Sequence, residues 1–137
     1  MNAMAVLLVP DRALGEAELV AVAREGAEVR LAPETLEALA ASRRLVDALA
    51  AGDVPVYGVS TGFGALATRH IPVARRAQLQ RSLIRSHAAG AGPEVEREVI
   101  RGLALLRLRT LATGRTGVRP QTAQALAALL NAGITPV

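Results

Sequence analysis

Both aromatic residues of this chain, Tyr57 and Phe63, sit in one stretch, Val56-Tyr57-Gly58-Val59-Ser60-Thr61-Gly62-Phe63-Gly64. Any core elsewhere must then be built from aliphatic side chains alone. These are abundant, since 51% of the 137 residues are hydrophobic. Alanine and leucine favour helix. The expected fold is therefore mainly α, a helical bundle with short aliphatic side chains between its helices. The length suffices for one domain around one core.

Prolines and glycines divide the chain into elements. Val6-Leu7-Leu8-Val9 reads as a short extended segment ended by Pro10 and Asp11. Gly15 precedes a short helix over 16–25 with acids in its first turn, where the helix dipole favours them. Glu28-Val29-Arg30-Leu31 alternates and pairs with the first segment as a small β element near the N-terminus. Pro33 suits the first position of a helix that runs to about Ala51, with Leu36, Leu39, Val46 and Leu49 on one stripe. From Asp53 to about Val73 the periodicity disappears, and an irregular segment of that length inside a compact domain is usually functional.

Helical pattern resumes near Arg75, placing His87 on the face of Leu79 and Leu83. Pro93 is expected to open the next helix, with Glu94 and Glu96 in its first turn and its end near Thr113. Val95, Val99, Leu103 and Leu106 form its stripe, and Leu105, Leu108 and Leu111 widen it to more than one buried side. Pro120 starts a last helix carrying Ala123, Leu126, Ala127 and Leu130, stopped by Asn131, Gly133 and Pro136. At least two helices carry more apolar surface than so short a chain covers. A partner chain or a larger parent protein is the expected remedy.

Charge and composition exclude several function classes. The net charge is +4, and all 16 basic residues are arginine. They alternate with acids along the chain, and stacking aromatics are nearly absent, so no nucleic-acid partner is expected. The apolar run at 5–9 is too short for a membrane span and lacks a basic flank, so no membrane is expected either. There are no cysteines, which fits a cytoplasmic location and removes thiolate metal sites. Neither histidine has a partner at metal-ligand spacing, so no metal is expected.

Two residues stand out as chemical candidates. Tyr57 is set among glycines that let a backbone approach a ligand closely. A phenol is a poor base at neutral pH unless its surroundings stabilise the phenolate. The competing reading is a tyrosine that plugs a core edge with its hydroxyl in water. His87 is either a ligand-binding residue or a satisfied core histidine. The glycine run lacks the spacing of a dinucleotide fingerprint and the lysine of a P-loop. Ser60 lies in no nucleophile elbow.

Taken together, the motifs resemble a known family. Residues 57–64 are similar to the tyrosine loop of the aromatic amino acid ammonia-lyases and aminomutases. The block from Leu79 to Gly92, the block from Arg107 to Val118, and Leu130-Asn131-Ala132-Gly133-Ile134-Thr135-Pro136 continue in that family's order. The resemblance covers residue 5 to the end. Within the family, Ser86-His87 is similar to the pair in histidine ammonia-lyases, which turn L-histidine into trans-urocanate and ammonia. Some tyrosine aminomutases share the pair, so a tyrosine- or phenylalanine-directed lyase or aminomutase stays open.

The resemblance implies an electrophilic methylidene-imidazolone formed from an Ala-Ser-Gly segment, and a homotetramer whose sites draw on more than one subunit. It implies Tyr57 as catalytic base and a substrate-binding set of His87, Ser86 and Gly64. No Ala-Ser-Gly occurs in these 137 residues. The expectation is therefore a chain, 1–137, that is the N-terminal portion of a lyase domain. It would be inactive without the downstream segment and would depend on the rest of the lyase or on a homo-oligomer. A non-catalytic helical fragment or interaction module is the remaining alternative.

Overall fold

The computed structural model describes residues 5–136. The chain divides into two compact units, Met1–Arg44 with Glu94–Val137, and Leu45–Pro93.

The first unit opens with strand β1 (Ala5–Leu8), helix α1 (Glu16–Arg24) and strand β2 (Glu28–Leu31). The strands pair in parallel, with Val6 opposite Val29 and Leu8 opposite Leu31. Parallel strands need a crossover connection, and α1 supplies it. Alternation turns Val6, Leu8 and Val29 inward, each at most 2% exposed. Gly15 precedes α1, and the Glu18 carboxylate reaches back to accept its N–H at 3.0 Å.

Helix α2 (Pro33–Ala51) starts where β2 ends. Thr35, fully buried, donates its hydroxyl to Leu8 O at 2.8 Å and so binds the start of α2 to the end of β1. Of the expected α2 stripe, Leu39 is fully buried and Leu36 packs against the core, while Leu49 is exposed.

Helices α4 (Arg97–Ala112) and α5 (Pro120–Asn131) complete this unit; α3 belongs to the other. The core joins Val6, Leu8, Val22, Val29, Leu39, Leu105, Leu108, Ala112, Ala123 and Leu130. Alanines at 21, 112, 123 and 127 fill the positions that larger side chains would need in a looser packing.

Helix α4 departs from expectation in two ways. It begins at Arg97, not at Pro93, because Glu96 O accepts the first helical bonds, from Val99 N and Ile100 N. Its buried face is Arg101, Leu105, Leu108, Leu111 and Ala112. The stripe expected to lead, Val95, Val99, Leu103 and Leu106, is about half exposed at each position. An open apolar groove of about 460 Å³ runs between α1 and α4 beside Val20, Val99, Leu103 and Leu106.

A charge in the core explains that inversion. Arg101 is 2% exposed. Its Nε and Nη2 donate to Val22 O at 3.2 and 2.8 Å, and its Nη1 donates to Leu130 O at 2.9 Å. Val22 and Leu130 lie in the last turns of α1 and α5. A helix C-terminus carries about half a negative charge, so two of them together balance one guanidinium. Burial pushes Arg101 below the ordinary arginine range, and Arg97 nearby adds to the shift.

Asn131, read from sequence as a stop signal, does more. Its Oδ1 accepts Val29 N–H at 2.8 Å and its Nδ2 donates to Val29 O at 2.9 Å. The side chain thereby occupies the edge of β2 that a third strand would use.

The second unit contains the last turns of α2, an irregular segment, and helix α3 (Val73–His87). Within the irregular segment Gly64–Leu66 form a 3₁₀ turn, and Thr61 pairs with His70 in an isolated antiparallel bridge. Helix α3 has no buried residue. No helix among the described residues is long and apolar enough to cross a membrane.

Candidate active site

The irregular segment is tightly specified. Val59 N and Ser60 N both donate to Val56 O, at 3.0 and 2.9 Å, closing a turn around Tyr57. Ile71 N donates to Ser60 O at 2.8 Å and Gly62 N to Arg69 O at 3.2 Å, which fastens the turn to the returning segment. Arg76, on the first turn of α3, donates Nη1 to Ala50 O at 2.7 Å and Nε to Ile71 O at 3.0 Å. One guanidinium therefore joins the end of α2, the end of the loop and the start of α3. Nothing in the periodicity marks Arg76, since an arginine near a helix start reads as a solvated residue.

Tyr57 stands out from this frame at 63% exposure. Its ring meets Phe63 edge to face, with centroids 5.9 Å apart and planes at 86°. This is the favoured quadrupole geometry. The paired aromatics lie outside the aliphatic core. Gly58 permits the pairing: its φ is +70°, and a Cβ there would stand 3.2 Å from the Phe63 ring. Gly64 is exposed, and nothing lies within 4 Å of where its Cβ would be.

His87 is the last residue of α3 and is exposed, not buried on an apolar face. Leu79 and Leu83, on the same side, are half-buried. His87 Nδ1 lies 3.0 Å from Leu83 O and 2.9 Å from Ser86 Oγ, and Ser86 Oγ donates to Leu83 O at 2.8 Å. A carbonyl oxygen only accepts. The contact with Leu83 O thus places a proton on Nδ1, and in the neutral ring Nε2 becomes an acceptor. Ser86 serves this arrangement through the same carbonyl. His70, in contrast, enters through its backbone, in the bridge to Thr61. Tyr57, Gly64, Ser86 and His87 all belong to the second unit and are all exposed.

The family model described as aromatic amino acid lyase matches residues 14–137. The chain belongs to that family. It is 67% identical over 120 residues to the histidine ammonia-lyase of Streptomyces griseus, covering 88% of this chain and 23% of the relative. With the histidine ammonia-lyase of Streptomyces avermitilis the identity is 60% over 134 residues, covering 98% and 26%. The tyrosine aminomutase of Streptomyces globisporus superposes with a TM-score of 0.90 at 34% identity, covering 97% of this chain and 25% of that one. The chain thus spans about a quarter of the length of the relatives it matches. The mainly helical fold with its small sheet is that of the family's N-terminal part.

Proposed function

We propose that the chain is the N-terminal portion, residues 1–137, of a histidine ammonia-lyase that eliminates ammonia from L-histidine to give trans-urocanate. The observation that carries this reading is the 60–67% identity to proteins of that name, against 34% to the tyrosine aminomutase. In this reading the methylidene-imidazolone, formed from an Ala-Ser-Gly segment outside these residues, supplies the electrophile that makes the amino group able to leave. The Gly64 position suits a neighbour of that kind, because the space a side chain would take is free.

The roles of this chain's own residues are those that the family resemblance implies, and their chemistry suits them. Tyr57 takes the β-proton on its phenolate oxygen. That proton is only weakly acidic, so the base must be close and aimed. His87 offers Nε2 to the N–H of the substrate imidazole, held in that tautomer by Leu83 O. Ser86 and Gly64 complete the substrate side of the site. Cytoplasmic location and assembly as a homotetramer belong to the same proposal, and further chain or subunits would cover the exposed stripe on α4.

The test is Tyr57→Phe in the complete lyase that carries this segment, assayed with histidine and with tyrosine. Loss of a general base costs about a hundred- to ten-thousand-fold. Near-normal turnover would remove Tyr57 from the mechanism. Turnover of tyrosine in preference to histidine would favour the tyrosine-directed reading. That alternative has one observation behind it: an Nε2 acceptor suits a phenol O–H as well as an imidazole N–H.

A further inference from the structure

The two most deeply buried side chains of the Tyr57 loop are hydroxyls. Ser60 is fully buried and Thr61 is 3% exposed. Neither has a part in the reaction described above. Burying a hydroxyl is unfavourable unless it is hydrogen-bonded, so its partners indicate what it is for.

The partners converge on one residue. Val56 N–H donates to Ser60 Oγ at 2.9 Å. Gly58 N–H donates to Thr61 Oγ1 at 3.2 Å, and the Thr61 hydroxyl donates onward to Gly62 O at 3.0 Å. The Thr61 hydroxyl thus holds the peptide unit that follows Tyr57. Ser60 holds both polar groups of Val56: its hydroxyl takes the Val56 N–H, and its own N–H donates to Val56 O, the carbonyl of the unit that leads into Tyr57. The hydroxyls themselves cannot drift, because Ser60 O is bonded to Ile71 N and Thr61 is paired with His70.

We propose that Ser60 and Thr61 are positioning residues for Tyr57: Thr61 pins the peptide unit after it, Ser60 clamps Val56 before it through hydroxyl and backbone N–H, and together they set the direction of its Cα–Cβ bond and so the placing of its phenolic oxygen. This rests on the reading of Tyr57 as the base. Phe63 limits the ring from one side, and the hydroxyl pair fixes the backbone from which the ring projects. A misplacement of about 1 Å in a reacting group costs on the order of a hundredfold.

The experiment compares Tyr57→Phe, Thr61→Val, Thr61→Ser and Ser60→Ala in the complete, assembled lyase, reading kcat and KM separately with histidine and with tyrosine. Thr61→Val keeps the shape and removes the hydroxyl. It should lower kcat at least about tenfold with KM within about twofold. Thr61→Ser, which restores the hydroxyl, should return kcat to within about threefold of the parent. A purely structural role would lower the yield of assembled enzyme and leave this split absent. A Thr61→Val enzyme at parental kcat, beside an inactive Tyr57→Phe enzyme, overturns the positioning role and leaves the base in place. Thr61→Ser falling as far as Thr61→Val also overturns it, because the methyl would then be what matters. If Thr61→Val fails to assemble, Ser60→Ala and Thr61→Ser are read by the same criteria. An active Tyr57→Phe enzyme removes the base and the positioning role together.

Discussion

Replacing Arg101 by methionine tests whether two helix ends can substitute for a counter-ion. Methionine is shorter than arginine but close to it in volume and has no hydrogen-bond donor, so the change removes the charge with little loss of volume. Two effects oppose each other. Taking an ion out of water costs several kcal/mol, and the substitution recovers this. Against it stand three charged hydrogen bonds. Val22 O receives two of them, and leaving a buried acceptor unsatisfied costs about 1–3 kcal/mol. Leu130 O retains the Gly133 amide at 3.1 Å and suffers less. Each helix end loses about 0.3–2 kcal/mol of interaction with the cation. Geometry decides the sign: every guanidinium nitrogen has an acceptor within 3.2 Å, so the bonds should outweigh the recovered desolvation. The expected net loss is about 1–3 kcal/mol, or roughly 3–10 °C in Tm for a chain of this size. Urea unfolding followed by helical circular dichroism reads it directly. A variant as stable as the parent, or more stable, would show that the helix ends do not compensate the burial.

Two further outcomes are expected. Gly114→Ala should destabilise the first unit by about 2–4 kcal/mol, because Gly114 has φ +70° and a Cβ there would lie 2.7 Å from Ala38 Cβ; calorimetric Tm values check it, and an unchanged Tm would mean that α2 yields at Ala38. Glu18→Gln should matter at neutral pH and cease to matter in acid. Arg12, by its hydrogen bond, and the Gly15 N–H hold the Glu18 carboxyl below its ordinary value, with burial opposing. An acid lowered on folding contributes stability that is present above its unfolded pKa, about 4.3, and is lost as pH falls through the folded value. Denaturation midpoints of parent and variant should therefore converge below about pH 4, and a gap constant with pH would refute the linkage.

The elements were largely legible because proline and glycine punctuate them. Pro33, Pro120 and Asn131 mark helix ends where the structure has them. The buried face of α4 was legible only in part: Leu105, Leu108 and Leu111 were expected inside and are, but the stripe through Val99 and Leu103 was expected inside as well, for a definite reason. Periodicity assigns an arginine to water, and the true core stripe runs through Arg101, whose partners lie 79 and 29 residues away. Hydrophobicity alone then favours the stripe through Val99 and Leu103, which is exposed. Pro93 misled in the same way, because proline permits a helix start without requiring one. In the candidate site, Tyr57 and His87 stood out by rarity and by family resemblance. Ser60, Thr61 and Arg76 did not, because their role lies in bonds to backbone groups, which leave no trace in composition.

The clasp of Asn131 on Val29 joins positions 102 residues apart, and Arg101 waits on a carbonyl 79 residues before it. A ribosome adds about 5–20 residues per second, so β2 emerges roughly 5–20 s before its outer edge can be closed. The intervening stretch has no such delay. The bonds from Arg76 to Ala50 and from Ile71 to Ser60 span 26 and 11 residues. During synthesis, the turn that presents Tyr57 has all its fastenings available once Arg76 has emerged, whereas the first unit, its sheet and its Thr35 bond already possible, still waits for Arg101 and Asn131.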